Sequence, residues 1–222
     1  MNQEWSMLNR QMQAGLKTAG CFAEGLAALY ALRGQLMEAW RALRLSLRRE
    51  DFDAMPFPRA EGYHSKTIAY SLWHILRIED IVAHDLIGGG EEIFFAGDYR
   101  RRIGAPIVTT GNELTGRGIV EFSRALNLDA LFEYAEEVRS DTEALLSSLA
   151  FADLRRKDFG AKKEALRALG VVSADERAAW LIDYWCGKDV RGLIQMPFSR
   201  HWIMHTEAAL RIRDRLIGGE VH

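Results

Sequence analysis

FAEGLAALYALRGQLMEAWRALRLSLRRE, residues 22–50, decides the fold class. Leu26, Leu29, Leu32, Leu36, Trp40, Leu43 and Leu47 recur every three or four residues, the spacing of one buried helix face, while Arg and Glu fill the opposite side. Three more stretches repeat the pattern, so the spacing predicts long helices at about 22–50, 63–87, 127–149 and 198–217. The second is more apolar than the first, with Ile68, Leu72, Ile75, Ile78, Ile81, Val82 and Leu86, and it stops at Gly88-Gly89-Gly90. Asn127 is a good N-cap for the third, and Pro197 suits the first turn of the fourth.

Four long helices imply an all-α fold, a four-helix bundle forming one domain over residues 1–222. Residues 88–118 are glycine-rich and read as a long loop, in which Ile107-Val108-Thr109-Thr110 is too isolated to found a sheet. A short helix is expected at about 116–126. Two smaller ones are expected at about 161–169 and 174–186, the latter opened by a capping box from Ser173 to Glu176. They form an insertion before the last helix, and residues before about 22 form an N-terminal extension.

Composition narrows the function classes. With 48% hydrophobic residues, 27% charged residues and a net charge of -2, the chain lacks the basic footprint that drives nucleic-acid binding. No stretch approaches the roughly 18 apolar residues of a membrane span. The first residues have no basic-then-apolar leader pattern, and the two cysteines, Cys21 and Cys186, share no framework spacing. The expectation is a cytoplasmic protein with free thiols, no nucleic-acid or membrane partner, and a small-molecule substrate.

Histidines carry the chemistry. His201 and His205 lie about 40° apart around one helix and about 6 Å along it, so both imidazoles reach a common point. Their stripe continues through Ala208, Ala209, Ile212 and Leu216, which turns the pair inward. Two imidazoles in an apolar core lose hydration and repel when protonated, whereas a divalent cation accepts a lone pair from each. His74 sits mid-helix in Ser71-Leu-Trp-His-Ile-Leu76 on a second helix and supplies a third ligand. Tyr70, one turn away, is placed to support it. His64 and His84 lie about 15 Å from His74 along the helix and read as surface or helix-end residues, and His222 reads as part of a disordered tail.

These residues resemble the DinB-like superfamily, also called the YfiT-like metal-dependent group. Trp73-His74-Ile75 is similar to its first ligand segment and Arg200-His-Trp-Ile-Met-His205 to its last-helix pair. Thr109-Thr-Gly-Asn-Glu-Leu-Thr-Gly-Arg-Gly118 is similar to its usual connection into the third helix. The resemblance spans about 22–217 and implies a four-helix bundle with His74, His201 and His205 on a divalent metal. The N-terminal extension and the insertion depart from that pattern and are placed to reshape the pocket. Trp180-Leu-Ile-Asp-Tyr-Trp185 of the insertion either lines a wall or, the commoner case, packs as an ordinary amphipathic helix.

Three neutral imidazoles with an open position suit catalytic chemistry; Zn2+ heads the expectation, with Ni2+ and Fe2+ also served by imidazole. A metalloprotease helix carries Glu directly after its first histidine, where this chain has Trp202. The resemblance instead implies a metal-dependent S-transferase or isomerase that activates a low-molecular-weight thiol. Arg200 and the Arg100–Arg102 run could hold a substrate carboxylate, though solvent-facing arginines are the commoner case. Two other readings stay open: a non-catalytic metal-binding or stress-response homodimer, and a metal-dependent hydrolase of a small substrate.

Overall fold

A computed structural model describes residues 2–219, so His222 lies outside the described residues. The fold is all-helical, with no strand among those residues. The eleven α-helices of the described chain are, in order, α1 (Gln3–Gly15), α2 (Phe22–Ser46), α3 (Ile68–Ile81), α4 (Ile93–Ala96), α5 (Tyr99–Ile103), α6 (Gly116–Ala125), α7 (Leu128–Ser148), α8 (Lys163–Leu169), α9 (Glu176–Cys186), α10 (Val190–Gln195) and α11 (His201–Gly219).

Every residue of α3 is buried, which makes it the central element. It packs against α7, α11 and α6, and α11 also packs on α2. A helix apolar all round belongs in a core, and the polar residues it carries there must be paired. Trp40, Trp73, Tyr134 and Trp202 fill one core region. A second joins the base of α2 and the end of α3 to α8–α10 and α1. The insertion is therefore part of the core, as is the N-terminal helix: Gly15 and Gly25 let α1 and α2 approach so closely that a Cβ on Gly15 would lie 2.4 Å from the Gly25 Cα.

The four long helices exist, with shifted ends. The first stops at Ser46 and a 3-10 turn, Arg49–Asp53, follows. The second starts at Ile68, not near 63, because Thr67 caps it by accepting the Tyr70 amide at 3.1 Å, while Gly62 at φ +59 opens a separate 3-10 turn, Gly62–His64. Beyond Ile81 it widens into a π-helical segment, Val82–Gly88, and Gly89 ends it in the left-handed conformation. A second π-helical turn, Met196–Arg200, leads into α11 at Pro197, which has no amide to donate, and the Ser199 hydroxyl donates to the carbonyls of Ile194 and Gln195. Asn127 caps α7 as its sequence indicates.

The 88–118 segment is not a plain loop, since it contains α4 and α5. Asp80 organises it by accepting the amides of Ile93 and Phe94 at 3.0 and 2.9 Å. Asp175, rather than Ser173, caps α9, because its carboxylate accepts the Arg177 amide. The short α10 has no anticipated counterpart.

Candidate metal centre

His74 of α3 and His201 and His205 of α11 meet in the interior. Their ring centroids are 4.9, 4.9 and 4.7 Å apart, and one ligand atom from each lies within 4.8 Å of the others. All three are buried. The i, i+4 spacing on α11 puts two imidazoles on one face, one turn apart, and the packing of α11 on α3 supplies the third.

A carbonyl ladder holds the α3 side of the site. Arg77 donates to the Val108 carbonyl (3.0 and 2.9 Å), Trp73 to Thr109 (3.2 Å), His74 to Thr110 (2.8 Å) and Tyr70 to Gly111 (2.9 Å). Four α3 side chains thus grip four consecutive carbonyls of one connecting segment. Because His74 Nδ1 faces a carbonyl it carries the proton, which leaves the Nε2 lone pair free. The Tyr70 ring stacks on His74, with centroids 5.6 Å apart and planes at 11°.

On the other side, α11 is fixed by polar anchors. Arg33 forms a two-point pair with Glu79 (2.7 and 2.9 Å), and Glu79 also accepts the Trp202 indole N–H at 2.5 Å. Arg33 reaches the Phe198 carbonyl at 3.2 Å, and Trp40 donates to Thr206 at 2.9 Å. Trp202, which occupies the place of a metalloprotease glutamate, is thus a structural anchor turned away from the site.

Burial keeps the imidazoles neutral. It lowers His74 to about 4 despite the opposing Thr110 hydrogen bond, and Lys66 pushes the same way. Burial, then the neighbouring histidines, hold His201 and His205 well below the ordinary value. The Nδ1 atoms of His201 and His205 are buried without a hydrogen-bond partner. Unpaired buried polar atoms cost about 1–3 kcal/mol each. Three neutral imidazoles, two with an orphaned nitrogen, form a donor set that fits a divalent cation.

The site opens onto a cavity of about 320 Å³. Trp180, Leu181, Tyr184 and Trp185 of α9 line one wall, so the insertion's aromatic helix is part of the pocket as well as of the core.

Comparison with protein-family models gives no match, and comparison with curated proteins gives none either.

Elsewhere the outcome is mixed. Cys21 and Cys186 are free thiols, the second buried. Arg200 is exposed, Arg101 and Arg102 pair with Asp98 and Glu133, and none of the three lines the cavity. No helix of the described residues is long and apolar enough to cross a membrane. His64 closes a 3-10 turn outside the cluster.

His84 corrects its assignment as a surface or helix-end residue. It is buried in the π-helical segment that continues the wholly buried α3, where its Nδ1 meets Asp80 (2.8 Å to the carboxylate, 3.0 Å to the carbonyl) and its Nε2 meets Asp141 at 2.8 Å. Burial alone would lower its pKa, but the Asp80 and Asp141 carboxylates raise it to about 9. Asp80 also accepts the Tyr134 hydroxyl at 2.6 Å and lies 3.3 Å from Arg77, which pairs with Glu92 at 2.5 Å. This network links His84 to the base of the carbonyl ladder. The Asp80–His84 step of four residues lies within the helical repeat, but Asp141 and Tyr134 of α7 and Glu92 of the 88–118 segment join the network only through the tertiary fold.

Proposed function

We propose that the protein binds a divalent metal, Zn2+ foremost, on His74, His201 and His205, that its long helices form a DinB-like four-helix bundle, and that the centre activates a low-molecular-weight thiol for S-transfer or isomerisation. The observation that carries this reading is the buried three-histidine cluster opening onto a cavity. When bound, such an ion supplies Lewis acidity and stabilises a sulfur nucleophile as its thiolate.

The chain's own residues supply the rest. His74 is oriented by Thr110, and the helix of His201 and His205 is anchored through Trp202 to Glu79 and through Thr206 to Trp40. Side chains of α9 and α11 wall the cavity beside the site. No Asp or Glu lines the cavity among the described residues, which leaves no positioned general base for water and supports thiol chemistry over hydrolysis.

The test is an assay of purified protein with a panel of small thiols and an electrophile, with and without added metal. Metal-dependent conjugation is expected with at least one thiol. Its absence with every thiol overturns the transferase reading and leaves the non-catalytic and hydrolase readings.

A further inference from the structure

The walls of the cavity over the histidines are as informative as its floor. Ile78 of α3, Leu181 and Trp185 of α9 and Met204 of α11 line it, and no Asp, Glu, Lys or Arg does among the described residues. At the α9 side Trp180 remains 51% exposed, although its indole N–H is already satisfied by the Arg177 carbonyl at 2.9 Å. A fixed indole with an open face beside an apolar cavity is a stacking surface for a ring.

We infer that the molecule taken by this centre presents a neutral, apolar body, an aromatic ring or a branched alkyl group, to this cavity, with Trp180 against it. The inference rests on the proposed metal centre for what lies at the floor, while the selectivity comes from the walls. A charged body would lose its hydration there and find no counter-charge among the lining residues. An apolar body removes its own surface and that of the indole and Met204 from water. The volume stands at the small end of the range for ligand pockets, which suits a single ring rather than a nucleotide-sized group.

The test uses the metal-stripped full chain in isothermal titration calorimetry, with benzyl alcohol as the neutral probe and benzoate as its charged match. Benzyl alcohol is expected to bind at least about tenfold more tightly than benzoate. Trp180→Ala and Met204→Lys are each expected to weaken benzyl alcohol about fivefold or more. Trp180 is half in water, so its truncation leaves the core intact. Undetectable benzyl alcohol binding, equal binding of the two probes, or binding indifferent to both substitutions overturns the inference. Zinc is then titrated into the same stripped sample. Selective benzyl alcohol binding without zinc binding keeps the cavity inference and removes the metal reading; zinc binding without that selectivity does the reverse.

Discussion

His74 Nδ1 donates to the Thr110 carbonyl oxygen at 2.8 Å, and this single bond decides which face of the imidazole meets His201 and His205. The acceptor belongs to a segment that α3 grips at four consecutive carbonyls, so the orientation of a core side chain depends on the shape of a connection.

Gly111 is the weak point of that connection. Its φ of +80° is a left-handed conformation, and an added Cβ would lie 3.1 Å from the Tyr70 ring. Gly111→Ala is expected to cost about 1–2 kcal/mol of stability and to weaken metal binding about tenfold by disturbing the support of His74. Thermal melting and competitive metal titration read the two effects. Unchanged affinity would mean that the ladder does not orient the ligand.

The histidine cluster makes the metal-free protein sensitive to acid. The folded-state pKa values lie below the unfolded value of about 6.5, so the unfolded chain binds more protons in that range. Their contribution is present above about pH 6.5 and is lost as the pH falls toward about 4, the value of His74. Urea midpoints of wild type and His205→Gln, compared at several pH values, should converge as the pH drops through that window. A constant gap between them contradicts the assignment.

His84 acts in the opposite sense. Its folded value, about 9, stands above the unfolded one, so its stabilisation is complete below about pH 6.5 and disappears as the pH rises through 9. Replacing it by Asn should flatten the decline in stability across that alkaline window, measured by denaturant titration. A decline of the same slope in both proteins would show that the contact with Asp80 carries no linkage.

Glu79 joins α3 to α2 and α11 at once through Arg33 and Trp202. Removing one partner of a buried ion pair leaves the other charge uncompensated and typically costs about 3–5 kcal/mol. Glu79→Ala should lose stability on that scale in chemical denaturation, and Glu79→Gln less. A loss below about 1 kcal/mol would mean that the pair behaves as an exposed one.

The long helices and the three histidines were legible because both follow the helical repeat. Leu29 to Leu43 mark one buried face of α2, and the four-residue step from His201 to His205 survives any small shift of the helix ends. What escaped the sequence depends on packing that the repeat does not specify. His84, expected at the surface, is buried because the helix end at Val82–Gly88 is packed on nearly every side. Glu92 meets Arg77 only because the 88–118 segment folds back over α3, a long-range closure that local patterning does not encode, whereas Asp80 lies on α3 itself, three residues from Arg77. The role of Trp180 and Trp185 as cavity wall likewise follows from where the insertion docks.

The most direct test of the central claim is the metal content, by elemental analysis, of wild-type protein and a His201→Ala variant, with circular dichroism confirming that both are helical. About one equivalent of a divalent metal in wild type and a sharp loss in the variant is the predicted result. Equal metal in both proteins, or none in either after exposure to zinc, would contradict it.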